Sequence, residues 1–189
     1  MELVILALAW MIYFLLHSLL ATAGIKNFFS RKLGVNFRYY RLAYVIFSTV
    51  GLLLLLFMNA NIPSRLFINN EGVIRYLSLV FAALGVIIIK GAFRTYDFGS
   101  FIGMKEEDDP FLTAGILGSV RHPIYSGTIL IVIGYWLFSP NLPTLISALC
   151  TFAYLPIGIY LEEKKLIEKF GERYLEYERK VPAVFPKLF

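Results

Sequence analysis

Residues 123–138, PIYSGTILIVIGYWLF, and residues 142–161, LPTLISALCTFAYLPIGIYL, are two apolar runs separated only by Ser139, Pro140 and Asn141. A lipid hydrocarbon core about 30 Å thick is crossed by about 20 mainly apolar residues, and only as a helix, because the backbone must satisfy its own hydrogen bonds there. Two such helices joined by so short a turn are antiparallel neighbours. The stretch therefore predicts a membrane-spanning helical hairpin.

Working outward, residues 3–23, 42–58 and 74–93 are further runs of spanning or nearly spanning length. The chain has 58% hydrophobic and 16% charged residues and a mean hydropathy of +0.69, whereas roughly a quarter of a soluble domain is charged. The expected fold is all-α: a polytopic membrane protein with about five transmembrane helices and a C-terminal cytoplasmic amphipathic helix, forming one domain over residues 1–189. Ala21, Thr22 and Ala23 resemble a signal-peptidase site, but the basic segment that should precede the apolar run is missing, so the first run is read as an uncleaved span.

Orientation follows from the basic residues, which concentrate in cytoplasmic loops. With the N-terminus outside, Lys26, Arg31, Lys32, Arg38, Arg41, Lys90, Arg94, Lys105, Arg121 and seven tail residues lie inside, and only Arg65 and Arg75 lie outside. The C-terminal tail is expected in the cytoplasm. The net charge of +5 thus points to membrane headgroups and not to nucleic acid. Cys150, the single cysteine, has no disulfide partner and reads as core filler, with a nucleophilic role as the lesser alternative. Residues 26–41 interleave aromatic and basic side chains as an interfacial anchor does. Glu106, Glu107, Asp108 and Asp109 read as a solvated loop, with a lid as the alternative.

Two stretches carry candidate chemistry. Residues 113–127 read TAGILGSVRHPIYSG, where Pro123 marks the first turn of a helix and His122 its cap. Free N–H groups at that helix start, with Arg121 beside them, offer a seat for an anionic group. Gly115, Gly118 and Gly127 would let a flat ligand approach closely. Residues 158–186 read GIYLEEKKLIEKFGERYLEYERKVPAVFP; Glu162 and Glu163 stand where the last span leaves the bilayer. Leu166, Phe170, Tyr174, Tyr177 and Val181 recur at helical spacing and predict the amphipathic helix, with Glu163 on the same face as Ile167, Phe170 and Tyr174. Because the hairpin starts and ends on one side, Arg121, His122, Glu162 and Glu163 are expected to converge, with a plain Arg121–Glu162 ion pair as the structural alternative.

RHPIYSG, a spanning hairpin, EE, FGERYLEY and a final VPAVFP together resemble the isoprenylcysteine carboxyl methyltransferase and phospholipid methyltransferase superfamily, over residues 113–186. The resemblance implies S-adenosylmethionine held at the cytoplasmic end of the hairpin by Arg121, His122, Pro123, Tyr125, Gly127, Glu162 and Glu163, with Arg121 and Glu163 acting in catalysis. Many members carry a tyrosine and a basic residue where this chain has Leu117 and Gly118. His17 and Ser18, and Tyr96 with Asp97, look similar to small bacterial relatives that include thiol S-methyltransferases, which makes His17 and Asp97 substrate candidates. His17 is also a costly intramembrane ionisable group, whose alternative is a hydrogen-bonded core histidine. Lys90, Arg94 and Asp97 are expected to snorkel or pair.

The implied reaction is methyl transfer to a lipophilic or small acceptor: a prenylated cysteine carboxylate, a phospholipid amine or a thiol. It calls for no metal ion. Two rivals remain, an NADPH-dependent oxidoreductase like the membrane sterol reductases, whose C-terminal hairpin is similar, and a non-catalytic membrane adaptor.

Overall fold

The computed structural model describes residues 1–95, 99 and 111–187. Seven α-helices are described: α1 (Glu2–Leu20), α2 (Ala23–Leu33), α3 (Tyr40–Asn61), α4 (Val73–Thr95), α5 (Pro123–Phe138), α6 (Leu142–Phe170) and α7 (Glu172–Lys180). Short 3-10 turns occupy Gly34–Tyr39 and Gly115–Gly118. There is no strand among the described residues. Helices α1, α3, α4 and α6 are long and apolar enough to cross a membrane, and α5 is a shorter apolar helix. The chain is an all-α polytopic membrane protein. Large side chains such as Leu53, Leu54 and Ile87 stand exposed on its outer surface, as lipid-facing residues do.

The hairpin has the expected construction. Pro123 opens α5, which stops at Phe138, and Asn141 caps α6 by accepting from the Thr144 N–H at 3.0 Å. The last span runs further than the charges at residues 162–165 suggest: α6 continues for 29 residues to Phe170, about 43 Å of continuous helix. Gly171, at φ 58°, breaks it. The expected amphipathic helix is therefore divided, its first part a rigid extension of α6 and its second part α7.

Helices α4 and α5 meet backbone to backbone. A Cβ placed on Gly85 would lie 2.5 Å from the Gly127 carbonyl oxygen, and one on Gly127 would lie 2.6 Å from that of Gly85. Small residues permit such approach where helix packing in lipid rests on van der Waals contact. Toward the Phe138 end of α5, Trp10 Nε1 donates to Ser147 Oγ at 2.9 Å, Ser147 Oγ donates to Asn59 Oδ1 at 2.8 Å, and Asn59 Nδ2 donates to the Tyr135 hydroxyl at 2.7 Å. These bonds tie α1, α3, α5 and α6 together around the apolar cluster of Leu6, Trp10 and Leu55.

Candidate active site

The rigid extension of α6 carries Glu162 and Glu163 to the start of α5. Glu163 Oε1 accepts from Arg121 Nε at 2.9 Å and from Arg121 Nη2 at 2.5 Å. His122 Nε2 lies 2.9 Å from the same oxygen, and because a carboxylate only accepts, that nitrogen carries the proton. Arg121 Nη1 donates to the carbonyls of Glu178 and Val181, and Nη2 also faces the Glu178 carboxylate at 3.5 Å. All three guanidinium nitrogens are thus hydrogen-bonded within the chain. Burial works against the charge on Arg121, but the Glu163 and Glu178 carboxylates outweigh it and raise its pKa above the ordinary value.

Arg121, His122 and Glu163 converge as the topology predicts, but the partner in the ion pair is Glu163 and not Glu162. The side chain of Glu163 is 14% exposed and that of Glu162 is 49% exposed, with its Oε2 3.8 Å from His122 Nδ1. The twin acids therefore differ: Glu163 clamps the corner and Glu162 stands half-exposed beside it.

The seat expected at the start of α5 is partly filled by the chain itself. Arg121 N–H donates to the Pro182 carbonyl and His122 N–H to the Ala183 carbonyl, both at 2.9 Å, while Ser126 Oγ donates to the Val184 carbonyl at 2.6 Å. The tail segment after α7 is a strap sewn across the arginine-histidine-proline corner. Its role was invisible in the sequence, because these acceptors are backbone carbonyls and any residue supplies one.

Gly127 also serves differently from its expectation. Its open side is filled by α4 at Gly85, leaving no space for a flat ligand there. The close approach falls instead at Gly158, where an added Cβ would lie 3.1 Å from the Tyr125 hydroxyl and 3.4 Å from the Tyr154 ring. Tyr125 stands beside the His122 ring, with centroids 5.5 Å apart, and its hydroxyl faces Glu162. Pro123 is buried at the helix start.

Around the corner, burial pushes the Tyr177 phenol up to about 12; the protonated hydroxyl donates to the Leu117 carbonyl at 2.6 Å and so fixes the turn ahead of Arg121. Phe111 packs on Phe170 at 5.0 Å between centroids. His17 faces α3, with Ser48 and Tyr44 as partners, and not the corner. Lys165 Nζ donates to the Ala21 carbonyl at 2.9 Å, joining the α6 extension to the C-terminal end of α1. Lys105, Tyr96, Asp97 and the acidic run at residues 106–109 lie outside the described residues.

A buried cation clamped at one end of a membrane hairpin, beside an open carboxylate, fits the resemblance already noted, and the family profile described as phospholipid methyltransferase matches residues 73–173. The chain belongs to that family. It is 29% identical over 185 residues to methanethiol S-methyltransferase 2 of Bradyrhizobium diazoefficiens, an alignment covering 92% of this chain and 69% of that protein. To the methanethiol S-methyltransferase of Crocosphaera subtropica it is 32% identical over 189 residues, covering 93% and 71%. To the protein-S-isoprenylcysteine O-methyltransferase of Schizosaccharomyces pombe it is 33% identical over 91 residues, covering 47% and 39%. No solved structure matches the chain significantly. The protein is an integral membrane methyltransferase, and its family implies a methyl donor.

Proposed function

We propose that this enzyme transfers a methyl group from S-adenosylmethionine to a small thiol at the inner face of the membrane, as one domain over residues 1–189 with the N-terminus outside and the C-terminus cytoplasmic. The observation that carries the choice of thiol is coverage. The thiol methyltransferases of Bradyrhizobium and Crocosphaera align over 92% and 93% of this chain, while the fission yeast isoprenylcysteine enzyme aligns over 47%. The orientation rests on the sixteen basic residues assigned to one side against two on the other.

The residues present fit S-adenosylmethionine. Glu162 is a half-exposed carboxylate, suited to ribose hydroxyls or an ammonium group, and the missing Cβ of Gly158 lets the Tyr125 hydroxyl approach α6 beside it. Bound there, the cofactor supplies a methyl carbon on a cationic sulfur. Glu162, Tyr125 and His122 bind and orient; Arg121 and Glu163 act as positioning residues that fix the corner, because their polar groups are already engaged with each other and with the tail. Pro123 starts α5 at the height that brings His122 to Glu163, and Gly127 sets α5 against α4. The catalytic contribution is alignment and exclusion of water from a low-dielectric site.

The test is methyl transfer by the purified chain in lipid nanodiscs, with labelled S-adenosylmethionine and, separately, an alkanethiol, a prenylated cysteine and phosphatidylethanolamine. Labelled thioether from the alkanethiol is expected. Transfer to either lipid acceptor with none to the thiol would overturn the proposal.

A further inference from the structure

Among the described residues, two polar networks within the spans differ in closure. In the outer one, Trp10, Asn59, Thr144 and Ser147 are all 4% exposed or less and bonded to one another or to Tyr135; it is a sealed structural joint. The inner one is built around His17, half-buried on α1. His17 Nδ1 lies 3.0 Å from Ser48 Oγ, and the Tyr44 hydroxyl lies 3.0 Å from His17 Nε2 and 3.2 Å from Nδ1. Next to it, Ser18 Oγ and the Tyr154 hydroxyl are 2.9 Å apart, and Phe14 stacks on Tyr154 at 4.1 Å. Tyr13 and Tyr154 are the other titratable rings around His17, and Lys165 is the ammonium coupled to it.

Tyr154, Gly158 and Glu162 follow at four-residue steps along one face of α6, so they mark a strip about 12 Å long from the neighbour of His17 to the open carboxylate. Gly158 in the middle of that strip receives the Tyr125 hydroxyl, and Tyr125 couples electrostatically to Tyr44, Tyr154 and Glu162. The cofactor corner and the inner network thus adjoin one face of α6, with Tyr125 between them. A small alkanethiol is mainly protonated at neutral pH, so its methylation needs a proton acceptor. The chain has two histidines, and His122 is already bound to Glu163.

We propose that His17, reached through the Tyr44 hydroxyl, takes the proton of the acceptor thiol. This rests on the thiol reading above. The S–H bond breaks as its proton passes to the Tyr44 oxygen and the Tyr44 proton moves to His17 Nε2. The thiol sulfur forms a bond to the methyl carbon, and the bond from that carbon to the sulfonium sulfur breaks with its electron pair remaining on the departing thioether. The imidazolium then returns its proton to the inner aqueous phase. Ser48 is a positioning residue that orients the ring through Nδ1.

With two histidines, the chain labelled with 15N-histidine gives a resolvable spectrum in nanodiscs. Adding an alkanethiol without any methyl donor is expected to shift the His17 ring resonances and leave those of His122 in place; an unmoved His17 overturns the proposal. In turnover, His17→Gln is expected to lower kcat/KM for the alkanethiol by about 100-fold or more, the scale of general-base catalysis, with a change below about threefold for an aryl thiol already ionised at the assay pH. Ser48→Ala, which keeps the bundle packing, is expected to show the same contrast at about tenfold and carries the test if His17→Gln does not fold. Equal losses on both thiols, or no loss on either, overturn the role of His17 while leaving the thiol reading in place. A wild-type chain that methylates neither thiol overturns both.

Discussion

Arg121 and Glu163, 42 positions apart, meet through a single carboxylate oxygen that accepts from both Nε and Nη2. Their side chains are 9% and 14% exposed, and a mostly buried pair loses most when one partner alone is neutralised, because the remaining charge is left uncompensated. Glu163→Gln is therefore expected to destabilise the folded chain by about 3 kcal/mol. Thermal unfolding in detergent measures it, and an unchanged midpoint would contradict the clamp.

Glu162 is expected to behave in the opposite way. Its side chain is half-exposed and its Oε2 lies 3.8 Å from His122 Nδ1, beyond hydrogen-bond reach, so Glu162→Gln should leave the unfolding midpoint where it is. Affinity for S-adenosylmethionine, measured by calorimetry, should fall about tenfold, equivalent to about 1.4 kcal/mol. Loss of stability without loss of affinity would exchange the roles of the two acids.

The contrast between these neighbours also marks how far the sequence could be read. Hydropathy gave the spans, Pro123 gave the start of α5, and the three-residue turn gave the hairpin, because each depends on local chemistry. The convergence of the corner with the twin acids followed from topology alone. Which acid faces Arg121 did not, since it depends on the rotation of α6 and on its continuing past residues 162–165, whose charges read as the end of a span. Gly127 looked like a ligand-facing glycine because its true neighbour, Gly85, is 42 positions away. The bonds from the tail carbonyls leave no trace in residue type.

At that glycine contact the predicted effect is steric. A Cβ on Gly85 would lie 2.5 Å from a backbone oxygen and 2.7 Å from an Ile131 side-chain atom, and a backbone cannot rotate aside. Gly85→Ala should force α4 and α5 apart at a cost of about 1–3 kcal/mol, the usual range for overpacking. The loss should appear in unfolding by a denaturing detergent. Gly24→Ala, with nothing within 4 Å of the added carbon, is the control expected to change nothing.

The strap gives a prediction in which chain length matters and side chains do not. Pro182, Ala183 and Val184 accept from Arg121 N–H, His122 N–H and Ser126 Oγ through their carbonyls, and Val181 accepts from Arg121 Nη1 in the same way. Ala183→Ser keeps every acceptor and should shift stability by less than about 0.5 kcal/mol. Ending the chain at Lys180 removes all four, and each donor left unsatisfied in a buried site costs about 1–3 kcal/mol. The truncated chain should therefore unfold well below the Glu163→Gln variant and lose S-adenosylmethionine binding with it, as the corner that orients His122 loosens. Thermal unfolding and calorimetry on the two proteins side by side decide the matter, and a truncated chain that binds the cofactor normally would show that the strap holds nothing the site needs.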